Sequence, residues 1–277
     1  MLTSLVLSLH TEAPVTVARH LGPASHAVFL KLIAEADADL AERLHTADTL
    51  RPFTCSTLVG GHARGAVQTL APERAFFLRY TGLSDEVSAH LRRIAGDPPA
   101  ELSLLDATLQ VDGATLSPEE HPWAGETTYE ALAAQRLLPG DAPERHVTLQ
   151  FVSPTAFRSS GRVVPLPLPD LVFGSLVGKW NTFANVALSD EMRRYAEECM
   201  GVSRYRLQTQ ALRSRGGSMQ IGFTGQCRFQ AFNSDRYWLG VMHLLADYAF
   251  YAGIGYQTTM GLGQVRRETS ATHKREV

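Results

Sequence analysis

Two histidines and one arginine near the start of this chain have the types and spacing for acid–base work on a phosphodiester. His26 sits near the beginning of a helix that the apolar spacing predicts over residues 25–44, with Ser25 as its N-cap, and His45 falls just past its end. Arg51 follows six residues later, within LHTADTLRPFTCS. An imidazole titrates near neutrality, so it can accept a proton from one oxygen and give one to another. A permanently charged guanidinium beside it can stabilise negative charge building on non-bridging oxygens. Such groups suffice for a ribose 2′-hydroxyl to attack its own phosphodiester, with no metal ion. His45 has a second reading, as a cation at the negative end of a helix dipole.

Two further features point to an anionic partner. Arg204, Arg206, Arg213 and Arg215 lie in SRYRLQTQALRSRGG, and the even spacing within each pair puts both members on one face of a strand. No Asp or Glu occurs between residues 199 and 234. Nearer the C-terminus, GIGYQTTMGLG packs Gly253, Gly255, Gly261 and Gly263 into eleven residues. Glycines permit positive φ and close backbone approach, and exposed amides in such a loop can hold phosphate oxygens. A helix C-cap explains Gly253 alone. The loop follows a helical pattern and lacks a third dinucleotide-spaced glycine, so it is no Rossmann fingerprint.

Composition narrows the classes. The 277 residues are 44% hydrophobic and 19% charged, as in a globular protein of one large or two small domains. No window reaches the roughly 18 apolar residues of a membrane span. The opening MLTSLVLSLH alternates like a strand and is read as structure, not as a signal peptide. Cys55, Cys199 and Cys227 are isolated, which fits a reducing cytoplasm and no structural zinc. GxSxG, HExxH and DxDxDG are all missing, and the acidic DADLAE lies in a helical pattern, as a solvated face would. The net charge of −2 hides an asymmetry. Residues 1–140 hold ten Lys/Arg against seventeen Asp/Glu, whereas 201–277 hold ten against four.

The elements that must carry these groups repeat one order. Residues 2–9, 53–61, 74–82 and 101–113 read as strands, with helices at 25–44 and 84–96 between them. The second half reads as a strand at 145–159, a helix at 169–185, a hairpin of 204–214 with 218–229, a helix at 235–253 and a short strand at 263–267. Both fit βαββαβ. The fold class expected is therefore α+β, with tandem ferredoxin-like (RRM-like) domains at 1–140 and 141–277. The polar tail ETSATHKREV is expected to be mobile.

Several of these stretches, taken in order, resemble the CRISPR repeat-RNA processing endoribonucleases of the repeat-associated mysterious protein superfamily. They are VTLQFVSPTAFR with its SPT break, LPLPDLVFGSLVGKWNTF with Trp180 and Asn181, GFTGQCRF, and the glycine-rich GIGYQTTMGLGQV. In the first half, LHTADTLRPFTCSTL is similar to the family segment holding the catalytic histidine. The resemblance implies that His45 falls on that histidine and Arg51 on an assisting basic position, with His26 competing for the catalytic role. It implies metal-independent cleavage of repeat RNA to guide RNAs, leaving a 5′-hydroxyl and a 2′,3′-cyclic phosphate, without cofactor. Gly253, Gly255, Gly261 and Gly263 would let their loop lie close to other backbone or to the RNA, and Lys179, Arg158, Arg162 and the four hairpin arginines would hold RNA lying across both domains. A first-helix tyrosine present in some relatives has no counterpart between Ala27 and Leu44. The partners implied are CRISPR repeat RNA and, beyond it, an interference complex; a homodimer is left open. Two alternatives stand beside this: a non-catalytic RNA-binding subunit of the same superfamily, and a small-molecule enzyme that uses the glycine loop as a lid.

Overall fold

The computed structural model describes residues 1–47, 49–138, 140, 142–213 and 219–268. The chain forms two compact units, one of Met1–Thr127 with Gln257–Leu262, the other of Thr128–Tyr256 with the residues from Gly263 on. The C-terminal glycine loop thus lends six residues to the N-terminal unit, where the sequence alone placed both ends of the loop in a domain beginning at 141.

The first unit contains, in chain order, β1 (Leu2–His10), β2 (Val15–Ala18), α1 (Gly22–Ala34), α2 (Ala38–Thr46), β3 (Phe53–Cys55), β4 (His62–Arg64), β5 (Val67–Leu70), β6 (Phe76–Gly82), α3 (Asp85–Gly96), β7 (Glu101–Leu104), β8 (Ala107–Thr115) and β9 (Gly125–Thr127). Its main sheet runs β3-β6-β1-β8-β7, with β9 also on β1. Taking β1, β3, β6 and β8 as the four strands of βαββαβ gives the antiparallel order 2-3-1-4 of a ferredoxin-like unit. Leu5, Leu7, Phe29, Ile33, Leu78 and Val87 form its core with their neighbours. The other face of β1 is covered too. Arg79 is buried there, donating from Nε to Ser4 Oγ at 2.8 Å and to the Trp123 carbonyl at 3.1 Å, with its guanidinium 5.0 Å from the Trp123 ring.

Several local expectations change. The predicted helix 25–44 is two helices. Asp37 is extended (φ −154°, ψ 93°) and its Oδ1 accepts the Leu40 N–H at 2.8 Å, so it caps α2, while Asp39 and Glu42 of the same stretch are exposed. Ser25 is not a cap: α1 starts at Gly22, with a proline in its first turn. The region 101–113 is a hairpin turning at Leu105, whose φ is +56°, and a small sheet β2-β5-β4 lies where the sequence showed loop.

The second unit continues with α4 (Tyr129–Leu137), β10 (His146–Thr155), β11 (Phe157–Ser159), β12 (Arg162–Val164), α5 (Pro169–Phe183), α6 (Met192–Cys199), β13 (Met200–Arg213), β14 (Met219–Ala231), α7 (Arg236–Ala252) and β15 (Val265–Arg267). Its sheet order, β13-β14-β10-β15, is again 2-3-1-4. Alternation along β10 and β14 buries Val147, Leu149, Phe151, Cys227 and Phe229 under the helices. Phe173 meets Phe229 at 5.4 Å and Trp180 meets Tyr248 at 5.2 Å, both edge-on. Trp180 and Asn181 pin the loop after α5: the indole donates to the Val186 carbonyl, and the Asn181 amide bonds both Leu188 backbone groups. Among the described residues, no helix is long and apolar enough to cross a membrane.

Candidate active site

His26 points out of the first turns of α1 and is only 6% exposed. It stacks on Phe53 at 5.6 Å with a 23° tilt, which fixes the plane of the ring. Its Nδ1 lies 3.1 Å from the Thr259 carbonyl oxygen. A carbonyl can only accept, so Nδ1 carries the proton and Nε2 carries the lone pair. Burial, followed by the positive charge of Arg51, pushes its pKa down to about 4, and His45 adds to the depression while the Thr259 bond opposes it. At pH 7 this ring is therefore neutral and ready to accept a proton at Nε2.

His45 lies in the last turn of α2, not past a helix end, and is exposed. Its backbone carbonyl accepts from Arg51 Nη2 at 2.9 Å. That bond caps α2 and ties the guanidinium to the residue it would assist. The field of Arg51 reaches both His26 and the buried Cys55 thiol. The structure therefore gathers His26, His45 and Arg51 into one neighbourhood of the first unit. The Thr259 contact was invisible in the sequence, since 233 residues separate it from His26.

The glycine loop is held by its own backbone. Gly253, Gly255, Gly261 and Gly263 all have positive φ (60°, 83°, 85° and 70°), and Gln257 joins them at 57°. Each glycine is there for its backbone conformation. The amides proposed for phosphate are already engaged: Gly253 N–H with the Ala249 carbonyl (3.0 Å), Gly261 with Cys55 (3.1 Å), Gly263 with Pro154 (3.1 Å), and Gly255 with Ser175 Oγ (3.4 Å). A methyl group added at Gly255 would stand 2.3 Å from the Ala156 carbonyl oxygen. At these four positions the loop packs against other backbone, one of the two readings the sequence leaves open.

Lys179 is turned inward as well. It is 6% exposed, and its Nζ donates to the Ala252 and Gly253 carbonyls at 2.9 and 3.1 Å. It closes the C-terminus of α7, and burial lowers its pKa to about 7. The arginines fare differently. Arg204 and Arg206 are exposed on β13, on the sheet face away from the helices. The register sets Arg204 beside Arg228 and Thr148 in one row, and Arg206 beside Gln226, Gln150 and Arg266 in the next. Arg228 Nε donates to Thr148 Oγ1 at 3.3 Å and Arg266 Nε to Gln150 Oε1 at 2.9 Å. Arg228 and Arg266 were missed in the sequence, although strand alternation from Arg204 and the hairpin pairing pointed at Arg228. Like charges directly opposite one another are unfavourable without an anion between them. Arg158 is exposed and lies 5.4 Å from the Tyr256 ring; Arg162 is exposed on the β11–β12 hairpin. Arg213 ends β13, and Arg215 lies outside the described residues.

Comparison with known proteins agrees along nearly the whole length. The family profile "CRISPR Cas6 N-terminal domain" matches residues 1–134, and "CRISPR-associated endoribonuclease Cas6" matches 149–265. A curated relative from Mycobacterium tuberculosis (strain CDC 1551 / Oshkosh), named CRISPR-associated endoribonuclease Cas6, is 25% identical over 99% of this chain and 81% of its own. Among solved structures, a Cas6 product complex superposes with a TM-score of 0.79 at 26% identity, covering 97% of this chain and 100% of the other. Thermus thermophilus Cas6 gives 0.74 at 25% identity, over 97% and 98%.

Proposed function

Because the chain belongs to the Cas6 family of CRISPR-associated endoribonucleases, we propose that it cuts a CRISPR repeat RNA by attack of a ribose 2′-hydroxyl on the adjacent phosphodiester, without a metal ion. Family membership carries the endoribonuclease activity; the particular chemistry rests on His26, His45 and Arg51. In the reaction His26 Nε2 takes the 2′-hydroxyl proton. The 2′-oxygen–phosphorus bond forms, the bond from phosphorus to the 5′-oxygen breaks, and His45 gives that oxygen its proton. The products are a 2′,3′-cyclic phosphate and a 5′-hydroxyl. Arg51 stabilises the charge on the non-bridging oxygens at the crowded phosphorus.

The single observation favouring this division of roles is the Nδ1 bond of His26 to the Thr259 carbonyl. It leaves Nε2 as an acceptor, and a ring with a pKa of about 4 carries almost no proton to donate at pH 7. The acid role then falls to exposed His45. RNA is held by Arg204, Arg206, Arg228 and Arg266 on the open face of the second unit's sheet, and by Arg158 and Arg162 beside it. These cations position the backbone, and the histidines act on one phosphate of it.

The test is incubation with RNA transcribed from the repeat, in excess EDTA, followed by mapping of both product ends. A 5′-hydroxyl and a cyclic phosphate are expected, and a single 2′-deoxy substitution at the cut site should abolish cleavage. A 5′-phosphate product, or cleavage that survives the deoxy substitution, refutes the chemistry.

A further inference from the structure

The turn at Gln257–Gly261 is built unlike an ordinary connection. Gln257 enters it at φ +57° and Gly261 leaves it at φ +85°, two left-handed residues bracketing a single 3-10 turn at Thr258–Met260. A left-handed conformation is unfavourable for a non-glycine residue, so the surroundings must impose it on Gln257. They do so through α1 and β3. The Gly261 N–H donates to the Cys55 carbonyl, and the Met260 N–H closes the turn on the Gln257 carbonyl at 2.9 Å. The turn lies so close to α1 that a methyl group on Gly22 would stand 1.9 Å from the Met260 carbonyl oxygen, and one on Gly261 would stand 2.9 Å from Gly22 Cα. From the loop before α1, His20 reaches the same place. Its ring Cε1 would lie 2.8 Å from a methyl group on Gly22 and 3.1 Å from that methyl group on Gly261.

Two histidines six positions apart thus meet one turn, His20 packed against Gly22 and Gly261 and His26 bonded to the Thr259 carbonyl. Gly22 lies between them and has no side chain to obstruct the turn. Gly22 has no left-handed φ to explain it. The approach of the Met260 carbonyl accounts for a glycine there.

We propose that the Gln257–Gly261 turn is a positioning element for His26, seated against α1 through Gly22, with His20 packed beside it. Its Thr259 carbonyl selects the Nδ1–H form, so that Nε2 faces the substrate. This rests on the reading of His26 as the proton acceptor. Gly22 and His20 act through His26 and need not touch RNA. The C-terminal segment thereby supplies a part of the acid–base apparatus that no side chain in it reveals.

The test is Gly22→Ala in the full chain, read in two ways. Nitrogen-15 spectra of the histidine rings report whether the His26 proton sits on Nδ1 or Nε2, and single-turnover kinetics separate the maximal rate from the RNA concentration for half-saturation. The wild type is expected to show the Nδ1–H signature. The variant should lose it and cut about a hundredfold more slowly, the cost of a displacement near 1 Å, at unchanged half-saturation. His20→Ala, which introduces no clash, should weaken the same signature and lower the same rate; it also serves if Gly22→Ala does not fold. A wild-type His26 protonated at Nε2, or a folded variant that keeps both signature and rate, overturns the proposal. If the wild type cuts no repeat RNA, the reading beneath it fails, and the spectra still decide whether the turn sets the tautomer.

Discussion

Replacing His26 with glutamine should make the protein markedly less sensitive to acid, by an amount the structure lets one calculate. In the unfolded chain the ring titrates at its ordinary value of 6.5, whereas in the folded protein burial and Arg51 hold it at about 4. The folded state therefore binds fewer protons between these values, and stability must fall as pH falls through the interval. Above pH 6.5 the site imposes no penalty. Below pH 4 the penalty is complete, at about 3 kcal/mol for a shift of roughly 2.5 units. Most of it arrives early: between pH 7 and pH 5 the wild type should lose about 2 kcal/mol through this residue alone. Glutamine does not titrate, and its amide can still donate toward the Thr259 carbonyl. The assay is urea denaturation of both proteins at half-unit steps from pH 7.5 to 5. Other histidines with lowered values, such as His20, His121 and His243, act on both proteins alike, so the difference between the curves isolates His26. The two stabilities should converge by about 2 kcal/mol on acidification. Parallel curves would refute the reasoning, because they would mean that His26 titrates alike in both states.

Lys179→Met should lower folding stability by about 1–3 kcal/mol, since two carbonyls at the end of α7 lose their donor, while the salt dependence of RNA binding stays unchanged. Arg206→Ala should do the reverse: stability is kept, and the slope of log binding constant against log salt falls by about 1. In the glycine loop, Gly255→Ala should cost about 1–3 kcal/mol in a denaturant melt, from its left-handed φ and the Ala156 carbonyl in its path. Gln257→Gly should cost no stability in the same assay, because glycine removes the left-handed strain at that position.

Much of the scaffold is legible from local patterns, and what is not has physical reasons. The long strands and the helices at 84–96, 169–185 and 235–253 declare themselves through period and caps: Ser84 and Asp235 accept from the first helical amides as their types suggest. The break between α1 and α2 is hidden because the apolar spacing continues from Ile33 to Leu40 and Leu44, and only the backbone of Asp37 departs. The histidines and Arg51 stand out by chemical type. Their environment does not, because it is made by a backbone carbonyl, and a carbonyl looks the same in every residue. For the same reason the glycine loop reads from sequence as a phosphate cradle. Four glycines announce unusual φ, but not which acceptors their amides already meet. Lys179 misleads because a lysine late in a helix looks exposed, and only the packing of α5 against α7 turns it inward.

The most direct test of the central claim is single-turnover cleavage of the repeat RNA by His26→Ala and His45→Ala, beside equilibrium binding of an uncleavable 2′-deoxy substrate. Each variant should cut at least about a hundredfold more slowly and bind as tightly as the wild type. Wild-type cleavage by both would contradict the account and move the proton transfers to other groups.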